Sequence, residues 1–111
     1  MSPSPEPASG SPRFDDLIHA PTRLSLVSLL AATDWADFRF LRDSAGLSDS
    51  ALSKQLTTLE EAGYVAIRKS FVGKRPRTSA RLTPRGHEAF AGHVAALQEI
   101  VARAGLAVIP E

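Results

Sequence analysis

Residues 47–65 (LSDSALSKQLTTLEEAGYV) leave this chain few folds to choose from. Ser48, Asp49 and Ser50 precede the first apolar residue, and their side-chain oxygens suit the orphan N–H groups of a first helical turn. Leu52, Leu56 and Leu59 follow at spacings of four and three, which lines them along one helical face. Gly63 closes the pattern. The opposite face carries Ser50, Ser53, Lys54, Thr57 and Thr58, with Gln55 beside it, and meets no acid until Glu60 and Glu61. Such a face fits a DNA major groove, and it also fits plain water.

What precedes this helix narrows the choice. Phe38, Leu41 and Ala45 mark a short helix that Gly46 ends, directly before the capping residues. Two short helices joined by a tight glycine-containing turn, the second richer in small polar residues, form the helix-turn-helix pattern. Further upstream, Phe14, Leu17 and Ile18 begin an apolar pattern. Pro21 interrupts it and suits the first turn of a new helix, whose apolar positions are Leu24, Val27, Leu30 and Ala31. Residues 33–38 hold the only Trp and read as a small edge strand or extended connector, with Trp35, Phe38 and Phe40 taken as core or interface.

After Gly63 the period changes from helical to alternating. Residues 64–72 read as a strand, residues 73–77 (GKRPR) as its turn, and residues 78–82 as the returning strand. The turn is crowded with cations, which costs free energy unless an anion is the intended partner. The formal net charge is only +1, yet residues 62–87 contain seven bases (Arg68, Lys69, Lys74, Arg75, Arg77, Arg81, Arg85) and no acid. The basic segment, not the total, is the electrostatic signal. Thr83 and Pro84 then start a long helix as cap and first residue. Along it Phe90, Val94, Leu97, Val101 and Ala104 alternate at four and three, and His93 and Ile100 widen this seam. A small domain is short of core, so the seam, joined by Phe14, Leu17 and Ile18, is expected to form a dimer interface.

The combined order resembles the bacterial MarR/ArsR-like winged-helix regulators. APTRLSLVSLL is similar to the opening of their first helix, and LSDSALSKQLTTLEEAGYV to their recognition-helix pattern through Ser53, Leu56, Leu59, Glu60, Gly63 and Val65. GKRPRTSARLTPRGHEAF is similar to their wing and the L-T-x-x-G start of the next helix. The resemblance implies a mainly α (α+β) winged helix-turn-helix fold, with a two- to three-stranded β wing and a C-terminal dimerisation helix. It also implies a dimeric transcriptional regulator of double-stranded DNA. The expected layout is a disordered tail over residues 1–12, the winged-helix domain over 13–104 and a C-terminal tail over 105–111.

The expected readers on the recognition helix are Ser48, Asp49, Ser50, Ser53, Lys54, Gln55 and Thr57, whose hydroxyls, amide and ammonium match phosphates and base edges. Arg68, Lys74, Arg75, Arg77 and Arg81 are expected to serve the wing, in or beside a minor groove. Thr22, Arg23, Arg39 and Arg42 are further candidates for phosphate. Two-fold symmetry would place two recognition helices roughly 34 Å apart, and the target would be an inverted repeat.

Other classes find little support. There is no cysteine, which excludes disulfides and thiolate metal sites, and the chain departs there from cysteine-based metal sensors. His19, His87 and His93 read as scattered polar residues, so neither metal nor cofactor is expected. There is no apolar run of membrane-spanning length and no signal-peptide pattern, so a cytoplasmic protein is expected. No nucleophile–base constellation or glycine-rich phosphate loop suggests an enzyme. A winged helix that docks on an acidic protein is the alternative, although such a wing need not be so basic. No dedicated effector region stands out.

Overall fold

The structure, a computed structural model, describes residues 11–105. The expected tails at residues 1–10 and 106–111 lie outside the described residues. Helix α1 (Asp16–His19) is one turn, capped by the Asp15 carboxylate accepting from the Ile18 N–H. Helix α2 (Pro21–Ala31) has Pro21 in its first turn, where a missing N–H costs nothing. Strand β1 (Ala36–Asp37) is the expected edge strand. Helix α3 (Phe38–Ala45) starts on the Asp37 carboxylate and stops at Gly46, whose φ of 67° turns the chain left-handed. Helix α4 (Asp49–Glu61) follows two residues beyond Gly46, its N-cap Ser48 accepting from the Ala51 N–H at 3.1 Å. Strands β2 (Val65–Val72) and β3 (Arg75–Leu82) form the hairpin, and helix α5 (Pro84–Arg103) ends the described fold.

The sheet has order β1-β3-β2 and is antiparallel throughout. Residues 73–77 were expected to form the turn, but the turn proper is Gly73 and Lys74 alone. Arg75, Pro76 and Arg77 already pair with Val72, Phe71 and Ser70. Pro76 is tolerated there because β1 reaches only as far as Ser79, so β3 has an open edge around Pro76. The wing is therefore a stiff two-stranded ribbon rather than a floppy loop.

The core lies between the helices and one face of this sheet. Leu26, Val27 and Leu30 of α2, Leu41 of α3, and Leu52, Leu56 and Leu59 of α4 close on Ala36, Val65, Ala80 and Leu82. Full burial of one such leucine contributes about 2 kcal/mol, so the α4 triad fixes the pitch of that helix against the sheet. Leu17, Phe38, Ile67 and Phe90 pack around this cluster from its rim.

Two contacts fasten α5 to the rest. The Thr83 hydroxyl donates to the Gly63 carbonyl at 2.6 Å and accepts from the Gly86 N–H at 3.0 Å. The Thr83 N–H donates to the Tyr64 carbonyl at 3.0 Å. Gly86 rides directly on that carbonyl; a Cβ there would sit 2.1 Å from the Tyr64 oxygen.

The second contact corrects the reading of the histidines. His93 is fully buried within the protomer rather than widening the outer seam of α5, and His19 lies against it, with His19 Nδ1 and His93 Nε2 3.2 Å apart. Phe14 packs on both rings, at 4.8 and 4.7 Å between centroids. His93 Nδ1 accepts from the Asp15 N–H at 3.0 Å, so its ring proton sits on Nε2 and points at His19. The Asp15 carboxylate in turn accepts from the Tyr64 hydroxyl. Residues 13–19 are thereby bound to α5, with the Arg13 N–H also donating to the Gly92 carbonyl at 2.8 Å.

Two consequences can be measured. Gly86→Ala should destabilise by about 2–3 kcal/mol and lower Tm by at least about 10 °C, because the clashing atom is backbone; a variant melting like the parent would contradict the close approach. Burial first, and the neighbouring His19 second, depress the His93 pKa, with Asp15 and Asp16 opposing. The unfolded chain takes up this proton near pH 6.5 while the folded chain does not. Stability should be level above neutrality and fall from about pH 6.5 towards pH 5, seen as a falling urea midpoint. His93→Gln should flatten that fall, and an equally steep fall in this variant would contradict the assignment.

Candidate nucleic-acid interface

Helix α4 buries Leu52, Leu56 and Leu59 and turns the opposite face outward, because residues three and four apart share a face. Ser50, Ser53, Lys54 and Thr57 are exposed on it. The other expected readers are partly engaged within the protein. Ser48 is the helix cap, with its Oγ 3.4 Å from that of Ser50. Asp49 accepts from Arg42 at 3.0 Å. Gln55 is half-buried, and its side-chain oxygen accepts from Arg23 at 3.0 Å.

Arg23 is thus an internal tie. Its Nε donates to the Leu17 carbonyl at 2.6 Å while its Nη1 holds Gln55, joining the start of α2 to α1 and α4. Arg42 bridges Asp43 of its own helix and Asp49 of the next, both at 3.0 Å, and so staples the two halves of the helix-turn-helix.

The wing divides its cations into paired and unpaired ones. Arg77 pairs with Asp37 at 3.0 Å and, nearer the root, Arg81 with Asp34 at 3.4 Å. Arg68 lies over the Trp35 ring at 4.2 Å and Arg81 at 5.2 Å. These pairings follow from register. Asp37 opposes Ser79 and Arg68 also opposes Ser79, so all three share one face of the sheet. The Arg77 hydrogen bond holds the Asp37 carboxyl below its ordinary pKa, although burial pushes the other way. Among the described residues, Lys69, Lys74 and Arg75 form no ion pair. Lys74 and Arg75 lie at the tip, whereas Lys69, opposite Thr78, lies one rung nearer the root than Arg77.

Two open clefts flank the wing. One, of about 560 Å³, is lined by Arg39, Arg42, Arg75 and Arg77, with Asp37 and Asp49. The other, of about 630 Å³, brings Ser53 and Thr57 of α4 opposite Lys69 and Thr78 of the ribbon. The helix hydroxyls and Lys69 of the wing therefore share one concave surface, with Asp49 and Glu60 also on its walls. Guanidinium, ammonium and hydroxyl groups at this spacing can donate to phosphate oxygens and to base acceptors. No group of three or more His, Asp or Glu side chains suited to a metal ion occurs among the described residues.

The expected dimer residues divide differently. Val94, Leu97 and Val101 are half-buried on the outer side of α5, Ala104 is exposed, and Phe14 is 42% exposed. Ile100 joins them at 45%. Leu17 and Phe90 are half-buried against the protomer's own core. Ile18 is fully buried in the protomer and has no surface left for a partner. The one-turn helix tucks that side chain inward, which an apolar pattern of three residues cannot disclose. Trp35, read as core or interface, serves instead as the platform for two arginines. Its position just before the edge strand was the only signal for that role.

Comparison with known proteins agrees with this geometry. Residues 22–101 match the family model of a winged helix DNA-binding domain. A transcriptional regulator homologue from Pyrococcus horikoshii superposes with a TM-score of 0.76 at 24% identity, covering 81% of this chain and 89% of that one. A possible transcriptional regulator for arsenical resistance is 31% identical, covering 78% of this chain and 81% of its own, with a TM-score of 0.57. The homodimeric winged helix-turn-helix domain of a possible ArsR-family regulator from Mycobacterium bovis gives a TM-score of 0.59 at 21% identity, covering 80% of this chain and 74% of that one. A possible MarR-family transcriptional regulator from Enterococcus faecalis shares the fold, with a TM-score of 0.64 at 23% identity. No helix among the described residues is long and apolar enough to cross a membrane. With a model match over most of its length, the chain belongs to the winged helix DNA-binding domain family.

Proposed function

We propose that this protein is a sequence-specific transcriptional regulator, acting as a repressor that occludes a promoter in the cytoplasm. It binds an inverted-repeat operator as a homodimer. The observation that carries this reading is the shared concave surface. Exposed Ser53 and Thr57 of α4 face Lys69 of the ribbon across one cleft, Lys54 is exposed on the same helix face, and Lys74 and Arg75 stand further along the ribbon; none of these cations forms an ion pair among the described residues. Helix α4 lies in the major groove, with Ser50, Ser53, Lys54 and Thr57 towards base edges and phosphates, while Ser48, Asp49 and Gln55 frame it. Lys74 and Arg75 reach the minor groove. Arg68, Arg77 and Arg81 hold the ribbon at its angle through Trp35, Asp34 and Asp37 and approach the backbone from its root.

The homodimer reading rests on the half-buried apolar seam of α5 with exposed Ile100 and Phe14 beside it, and on the homodimeric Mycobacterium bovis domain. Val94, Leu97 and Val101 would form its centre, with Ile100 added and Ile18 removed from the expected set.

The deciding experiment is selection of bound fragments from random duplexes with purified protein. An enriched inverted repeat is expected; no enrichment at low salt would overturn the reading in favour of a protein-docking module. On the selected duplex, Lys74→Ala with Arg75→Ala should flatten the slope of log affinity against log salt by about 2, the worth of two phosphate contacts. An unchanged slope would remove the wing tip from the interface. Leu97→Glu should sediment as a monomer and lose about 100-fold or more in operator affinity, as the second recognition helix no longer binds in tandem. A parent protein that is already monomeric at micromolar concentration and on DNA would contradict the dimer.

A further inference from the structure

The wing tip carries an apolar group that its cations do not explain. Phe71 is 72% exposed, more than any other large hydrophobic side chain among the described residues. It stands directly across the ribbon from Pro76. Side chains alternate along a strand and opposed residues share a face. The face of Phe71 and Pro76 is therefore the face of Lys69 and Thr78, and of Ile67 and Ala80 below them. Ile67, Lys69 and Thr78 line the cleft against Ser53 and Thr57 of α4. Phe71 extends that surface roughly 7 Å beyond Lys69, two residues along the strand.

The company of Phe71 selects its partner. Lys69 shares its face two residues along the strand, Lys74 sits in the adjoining turn and Arg75 projects from the other face one rung away; none of the three forms an ion pair among the described residues, and residues 62–87 contain no acid. A partner must offer negative charge at its rim and an apolar interior. The minor groove has that profile, with phosphates along its edges and deoxyribose and stacked base edges between them. Apolar side chains delivered there open a base step and bend the duplex. Pro76, opposite it on the same face, stiffens the neighbouring strand, because its own φ is fixed.

Resting on the DNA-binding reading above, we infer that Phe71, backed by Pro76, is an apolar wedge. It enters the minor groove beside the site read by α4 and bends the duplex there. Lys69, Lys74 and Arg75 deliver it electrostatically, but its own contribution is insensitive to salt.

The test uses the full chain and the duplex enriched from random sequence, labelled at both ends for energy transfer. Phe71→Ala should bind about tenfold more weakly, with an unchanged salt slope and a smaller bend, while Phe71→Leu retains most of both. Melting temperature should stay within about 2 °C of the parent, since so exposed a ring adds little to the core. Phe71→Ala that binds and bends the duplex like the parent overturns the wedge while leaving the function standing. Phe71→Ala that sediments as a smaller species also overturns it, since the ring would then cover a second copy of the chain. A parent protein that enriches no duplex overturns the regulator reading and the wedge with it.

Discussion

The Thr83 hydroxyl sits where four elements of this fold meet. It donates to the turn that ends α4, and its neighbouring N–H holds the first residues leading into β2. It accepts from Gly86, where α5 begins, and it follows directly on β3. Gly86 makes the junction possible, because only a residue without Cβ can lie on the Tyr64 carbonyl. The angle between the reading helix and the ribbon, and between both and the outer seam of α5, is set at this point. A displacement of α5 would therefore reach α4 through backbone hydrogen bonds, not through a pliable layer of side chains.

Around this junction the polar contacts divide into ties and free groups. Arg23, Arg42, Arg77 and Arg81 each hold a partner within the protomer. They are mostly exposed pairs worth about 0–1 kcal/mol each, so their effect is orientation rather than stability. Arg42 sets α3 against α4, and Arg77 sets the ribbon against the cap of α3. Lys74 and Arg75 at the tip, Lys69 along the ribbon and Lys54 on α4 are among the cations left without an ion pair among the described residues.

The parts of this fold that depend on neighbours in sequence could be read directly. Ser48 and Thr83 as caps, Gly46 as a stop and the leucines of α4 act within one or two helical turns. The turn of the wing reads longer in the sequence than it is, because Pro76 is a poor strand former and its neighbours Arg75 and Arg77 are like charges. Their strand conformation comes from pairing with Val72, Phe71 and Ser70. The least legible features join residues far apart. His19 and His93 are 74 positions apart, and nothing near either predicts the other. The same holds for Arg23 with Gln55 and for Arg68 and Arg81 on Trp35. Basic residues advertise a charged surface in any sequence, but which of them are already neutralised depends on register, and register is a tertiary property.

The placement of the paired acids has a bearing on encounter as well as on contact. Asp34, Asp37, Asp43 and Asp49 sit beside arginines at the wing root and in the helix-turn-helix, so the molecule is nearly neutral as a whole and polarised along the ribbon. At physiological ionic strength a field of this kind fades within about 8 Å. A polyanion drifting past is drawn in only when the tip already faces it, so attraction acts as a filter on orientation more than as a long-range pull. Misoriented collisions meet a neutral surface and separate quickly. On the proposed reading, search time is thereby spent on approaches that bring α4 and the ribbon to the same duplex.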